Sequence, residues 1–186
     1  MLIVIAGLPG TGKSTLARRL SGRLAADGTP AIILDKDVVR AALFPSPEIE
    51  YSTRQDDFCM DVMLQAAEYV LRKDPGRHVI LDGRTFSRRY QVDAVRAFAR
   101  RLGVSCALVE CVCSDEVVRQ RLGRDVAEGR HLATNRDYQM YLSVKARAEP
   151  IREPKLTIDT EDDPDRCLQR CLEYTETEGI RLGRET

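Results

Sequence analysis

Leu2-Ile-Val-Ile-Ala-Gly-Leu-Pro-Gly-Thr-Gly-Lys-Ser-Thr15 passes from an unbroken apolar run into a glycine-rich turn and out into residues with helical spacing. Five consecutive apolar residues followed at once by turn residues read as a buried strand. From Gly7 to Ser14 the stretch fits G-x-x-x-x-G-K-[ST], and it stands between a strand and an amphipathic helix, the context that gives the pattern its meaning. Glycines 7, 10 and 12 permit backbone conformations that bring successive amides onto phosphate oxygens, and the helix beginning near Lys13 adds its positive end. Lys13 supplies a point charge for the β and γ phosphates, and the Ser14 hydroxyl is a ligand for Mg²⁺. Gly7, Pro9, Gly10, Thr11, Gly12, Lys13, Ser14 and Thr15 are therefore the expected nucleotide-binding set.

Outward from this loop, short apolar runs alternate with longer helical patterns. Ala31–Leu34, His78–Leu81, Cys106–Val112 and Leu156–Ile158 join Leu2–Ala6 as expected strands. Helices are expected over 13–26, 37–43, 56–73, 87–102, 114–124, 135–148 and 163–175. That alternation implies an α/β fold, a parallel five-stranded sheet with helices on both faces. At 186 residues the chain has the size of one domain, taken as 1–186, with a charged tail from about 176 to 186 as its expected frayed end. Phe44–Arg54 carries two prolines and no period, so it is expected to be a loop beside the ligand, with Tyr51 as a candidate substrate contact. The polar region 124–136, with Arg124, Arg130, His131 and Arg136, is the expected lid, where His131 is read as exposed rather than catalytic.

Charge is balanced at 29 basic and 29 acidic residues, so no overall field draws the chain to nucleic acid or an anionic membrane. No segment reaches the roughly 18 apolar residues of a membrane span. The six cysteines form no C-x-x-C pair and are read as reduced thiols, and the start runs directly into the functional loop with nothing cleavable, so a cytoplasmic setting is expected.

Two further segments carry chemistry. Strand two ends in Leu34-Asp-Lys-Asp-Val-Val-Arg40, which places Asp35 and Asp37 at a carboxyl end with Arg40 one helical turn on. A carboxylate there can orient a hydroxyl and accept its proton, and an arginine can hold the acceptor or spread transition-state charge. Either aspartate fits the role of base. Strand three closes on Asp82-Gly-Arg84, which makes Asp82 a second candidate for the magnesium shell, through water, and Arg84 a candidate facing the acceptor. The helix after strand four carries Arg119, Arg121 and Arg124, of which at least one is expected at the nucleotide: Arg121 as a binding residue, Arg124 as a catalytic one.

Together these stretches resemble the P-loop kinase superfamily of small acceptors, the AAA-type ATP-binding domains, over most of the chain. Leu34–Arg40 looks like the L-D-x-D-x-x-R segment of adenylyl-sulfate kinases, and Asp37–Arg40 like the D-x-x-R of 5′-hydroxyl polynucleotide kinases. Zeta toxins and chloramphenicol phosphotransferases are similar in outline. The resemblance implies a three-layer P-loop NTPase fold with strand order 2-3-1-4-5 and a lid after strand four. It also implies Asp37 as the acceptor-facing base, Arg40 as its companion and Asp35 as an accessory group. The implied reaction is transfer of the γ-phosphate of ATP, with Mg²⁺, to a hydroxyl of a small molecule. Two alternatives stay open: a kinase of nucleic-acid 5′ ends, with Arg40, Arg84, Arg88 and Arg89 gathered into a groove, and a nucleotide-dependent switch. The guanine-reading N-K-x-D pattern has no match, since Thr134-Asn-Arg-Asp137 carries arginine at the lysine position, which favours ATP over GTP.

Overall fold

A computed structural model describes residues 1–128 and 137–185, with side chains described to residue 179. Its elements are β1 Leu2–Ala6, α1 Lys13–Ala26, β2 Ala31–Asp35, α2 Lys36–Leu43, a short 3₁₀ turn Ser46–Glu48, α3 Thr53–Lys73, β3 His78–Asp82, α4 Arg89–Leu102, β4 Cys106–Val112, α5 Asp115–Glu128, α6 Tyr138–Arg147, β5 Leu156–Asp159 and α7 Pro164–Glu185. The strands pair in parallel in the order β2-β3-β1-β4-β5, as the resemblance implies.

A central parallel strand is covered on both faces, so it needs no polar alternation, and β1 has none. Leu2, Val4 and Ala6 point into one core with Met63, Ala67 and Leu71 of α3 and Val92, Val95 and Phe98 of α4. Ile3 and Ile5 point the other way, into a core built from Leu16, Leu20 and Leu24 of α1 and Cys167, Cys171 and Leu172 of α7. A third small cluster, Val118, Leu122 and Tyr141, joins α5 to α6. These layers leave the carboxyl ends of β1, β2 and β3 facing one cleft.

Helix starts are fixed by side chains that satisfy orphan amides, those of α2, α3 and α6 among them. Asp35 accepts from the amides of Asp37 and Val38 at α2, Ser52 from Gln55 at α3, and Asp137 from Met140 at α6. The Ser52 cap starts α3 at Thr53, three residues before the periodicity alone indicates. Buried Gln55 then pins the preceding loop, accepting from the Glu50 amide at 3.0 Å and donating to the Glu48 carbonyl at 2.8 Å.

The stretch from 176, expected to fray, instead continues α7 to Glu185. Cys167, Cys171, Leu172 and Thr175 give that helix a buried stripe, and near its far end Gly179 lies against the Met1 side chain, so docking holds a sequence that composition alone leaves free. Residues 124–128 of the expected lid are the last turn of α5, and 129–136, with Arg130, His131 and Arg136, lie outside the described residues. No helix among the described residues is long and apolar enough to cross a membrane.

All six cysteines are free thiols. Burial pushes the thiols of Cys111 and Cys171 up to about 12 and that of Cys106 up to about 11. In mildly alkaline iodoacetamide these three are expected to stay unmodified in the native protein and to react fully in denaturant, read by intact mass, and reductant is expected to leave the melting temperature unchanged.

Candidate functional site

The loop after β1 is shaped by what surrounds it. Gly7 has φ 136°, and a Cβ there would stand far inside van der Waals contact with the Cys111 carbonyl oxygen. Its amide donates to the Thr85 carbonyl at 3.1 Å, tying the loop's entry to the segment after β3. Gly12, at φ 82°, caps α1 in the left-handed region, where L side chains are strained. Within the loop, Lys13 Nζ and Thr11 Oγ1 both donate to the Leu8 carbonyl, at 2.9 and 2.8 Å. Lys13 is thus folded over the loop, nearly buried, while Ser14 and Thr15 open onto a cleft of about 950 Å³.

A second segment clasps this loop. Thr160, just after β5, donates its hydroxyl to the Thr11 carbonyl at 3.0 Å. Arg121 of α5 forks onto Thr160, donating to Oγ1 at 2.8 Å and to the carbonyl at 2.9 Å. Arg121 therefore stands in the cleft wall beside the phosphate loop. Arg124, one turn on, is exposed on α5, and Arg119 stacks its guanidinium 4.6 Å from the Tyr138 ring centroid.

Across the cleft lies a charge network in which α2 turns its polar side inward. Lys36 and Arg40 are 6% and 3% exposed, whereas Val38 and Leu43 of the same helix are 51% and 45% exposed. Burying two cations requires partners. Arg40 Nη1 donates to Asp37 Oδ1 at 2.6 Å, and Nη2 donates to Asp56 Oδ1. Lys36 Nζ reaches Asp56 at 2.8 Å and Asp37 at 3.3 Å. The Tyr51 ring covers the Arg40 guanidinium with its centroid 5.2 Å away, in a backbone conformation with φ 51°. Arg84, 4% exposed, pairs with Asp57 and donates to the Asp56 carbonyl at 3.3 Å. Arg88 pairs with Glu149 at 3.2 Å, and Arg89 with Asp93 at 3.8 Å.

Asp35 and Asp37, equivalent by sequence, are placed differently. The Asp35 carboxylate is committed to capping α2. Burial pushes its pKa up, the backbone amide of Asp37 pulls it back, and the carboxylate of Asp82 adds to the rise. Asp82, paired in register with Asp35, is 2% exposed, and its Oδ1 has no hydrogen-bond partner among the described residues. A buried orphan carboxylate oxygen at the carboxyl end of the strand next to β1 suits the outer shell of a hydrated cation.

Most of the residues expected from sequence therefore line the cleft: Pro9, Gly10, Gly12, Lys13, Ser14, Thr15, Asp35, Asp37, Arg40, Tyr51, Arg84 and Arg121. Four that complete it were not picked. Lys36 stood in plain view between the two aspartates. Asp56, Asp57 and Thr160 carry no local signal, because their partners lie 16 to 149 positions away.

The family model described as an AAA domain matches residues 2–149. Among solved structures, the fold resembles the APS kinase CysC of Mycobacterium tuberculosis in complex with AMPPNP and APS, at 20% identity over 94% of this chain and 96% of that one, TM-score 0.68. Kti12 of Chaetomium thermophilum in complex with ADP-AlF3 is similar at 19% identity over 94% and 98%, TM-score 0.69. A gluconokinase of Sinorhizobium meliloti 1021 is similar at 18% identity over 99% and 96%, TM-score 0.66.

The network makes a stability prediction. Asp56→Ala leaves Lys36 and Arg40 sharing one buried carboxylate, and it is expected to cost about 2–4 kcal/mol in urea unfolding. A loss below about 0.5 kcal/mol, the usual effect of a surface substitution, would show that the pairs contribute nothing.

Proposed function

We propose that this chain, which belongs to the AAA domain family and the P-loop kinase superfamily, moves the γ-phosphate of ATP onto a hydroxyl of a small molecule. The observation that carries this reading is the facing of two half-sites across one cleft, the Lys13–Ser14 phosphate loop on one wall and the Asp37–Arg40 pair on the other. A cleft of about 950 Å³ has the size of sites that enclose small ligands. The four arginines that a polynucleotide groove would need are each paired with a carboxylate, which favours a compact acceptor over a strand.

The roles follow from the placements. The phosphate loop holds the β and γ phosphates, with Lys13 neutralising charge that grows as the bridging oxygen leaves. The Ser14 hydroxyl directly, and Asp82 through water, would hold Mg²⁺, which supplies charge neutralisation at the phosphate oxygens. Arg121, by clasping Thr160 to the loop, keeps the nucleotide end in shape. At the other end Asp37 orients the acceptor hydroxyl and takes its proton as the acceptor oxygen bonds to the γ-phosphorus and the bond to the β–γ bridging oxygen breaks, releasing ADP. Arg40 holds Asp37 in place and lends positive charge beside the transferring group, and Tyr51 limits the space around it. Asp35 acts on the helix rather than on the substrate. Arg124, exposed in this structure, is assigned no step. The cytosol supplies ATP and the reducing conditions that suit six free thiols.

The defining assay offers labelled ATP with a panel of nucleosides, sugars and aminoglycosides, and with 5′-hydroxyl oligonucleotides across a salt series. Small acceptors are expected to be labelled. Efficient oligonucleotide labelling that falls steeply with salt would replace this acceptor class with nucleic acid. Lys13→Ala is expected to remove measurable transfer and weaken ATP binding while circular dichroism stays unchanged. Asp37→Asn is expected to lower turnover by about 10²–10⁴ with ATP affinity nearly intact. A larger loss in Asp35→Asn than in Asp37→Asn would exchange the two assignments.

A further inference from the structure

Among the described residues, the buried cations of the acceptor wall are each paired with carboxylates, and we propose that the acceptor is an uncharged molecule carrying several hydroxyls. The inference rests on the phosphotransfer reading above and narrows it to a substrate class.

Each cation described at this end of the cleft already has a partner within the protein. Lys36 and Arg40 share Asp37 and Asp56, Arg84 holds Asp57, and Arg88 holds Glu149. Arg147, on α6, donates to the Ser143 carbonyl at 3.0 Å and to its hydroxyl at 3.1 Å. The carboxylates are similarly engaged: Asp57 also accepts from the Tyr90 hydroxyl at 3.0 Å, and Glu149 from the Arg89 amide at 2.8 Å.

An anionic acceptor that reached Lys36, Arg40, Arg84 or Arg88 would have to take that cation from its carboxylate, which would remain nearby, unpaired and repelling the newcomer. Exposed Arg147, bonded only to neutral groups of Ser143, offers no more than a solvent-screened contact. With Arg40 and Arg84 almost wholly buried, the exchange happens where water helps least. A cationic acceptor meets a similar obstacle with the signs reversed, since Asp37, Asp56 and Asp57 are held by buried cations and the Asp35 carboxylate is occupied by the amides at the start of α2. A neutral hydroxyl displaces nothing. A guanidinium has five N–H donors and a carboxylate about four lone-pair sites, so paired ions keep capacity to donate to and accept from an alcohol. A surface of matched ion pairs is thus a hydrogen-bonding surface of both signs without net attraction for either charge. Val38, Met140 and Val144 supply apolar wall for the carbon skeleton.

The test uses the full chain with MgATP and sets of acceptors that share a skeleton and differ in charge: uridine against uridine 3′-monophosphate, and glucose against gluconate and glucosamine. The neutral member of each set is expected to show kcat/KM at least about tenfold higher than its charged relatives, with little change as added salt shortens the screening length. Glu149→Gln unpairs Arg88 at an exposed position that tolerates substitution, and it is expected to shift the ratio of kcat/KM toward the anionic members by several-fold. Preference of the unmodified protein for an anionic or cationic member would overturn the inference and leave the phosphotransfer reading standing. So would a Glu149→Gln protein whose preference does not move. If calorimetry shows MgATP bound yet no member of any set is phosphorylated, the phosphotransfer reading fails, and this inference with it.

Discussion

Everything at the cleft depends on how closely β1 can hand its chain to the phosphate loop. Gly7 lies against the carbonyl of Cys111 on the neighbouring strand, in a conformation and a space that no side chain shares. That contact turns the chain out of the sheet at the end of the strand, without a longer connection. Lys13 can then fold back over the loop, and α1 begins at once with its positive end beneath it. A bulkier residue would push the loop away from β4, and with it the segment after β3 that bonds the Gly7 amide.

The opposite wall is organised by charge rather than by shape. α2 is amphipathic in the reverse of the usual sense, its cations inside and part of its apolar side outside, so burial of hydrocarbon contributes little to its position. What holds it is the cap from Asp35 and the double grip of Asp56, placed by the first turn of α3. Ion pairs of this kind add little stability compared with a hydrocarbon core of the same volume, but they impose a single arrangement on the groups that take part. The proposed acceptor end gains orientation in place of extra stability.

The fold was almost wholly legible in the sequence, because its determinants are local. Apolar runs of four to seven residues, helical periods and one glycine loop give the strands and helices nearly to the residue. The same holds for the phosphate loop, whose members are contiguous. The acceptor half was legible only in its first members. Asp35, Asp37 and Arg40 are close in sequence, but the groups that pair with them come from another helix, and no period relates residue 40 to residue 56. Tertiary partners also bear on the two main departures: α3 starts early because Ser52 and Gln55 fasten a loop, and α7, docked through Cys167 to Tyr174, continues past Met1 at Gly179. The groove of four arginines stayed an open alternative in the sequence, since sequence shows cations without showing which carboxylates face them.

Thr160 has a history implicit in its bonds. Its hydroxyl donates to the phosphate loop and accepts from Arg121 at the same time, and its methyl group packs against Gly12. Valine would preserve the shape and lose both bonds, and asparagine would keep polarity in a space too small for it. Of the twenty residues only serine reproduces the hydroxyl without added bulk. The clasp therefore admits two residue types at a position far from the glycine loop by sequence, and any other substitution there would leave a chain that keeps its motif while losing the brace that shapes it.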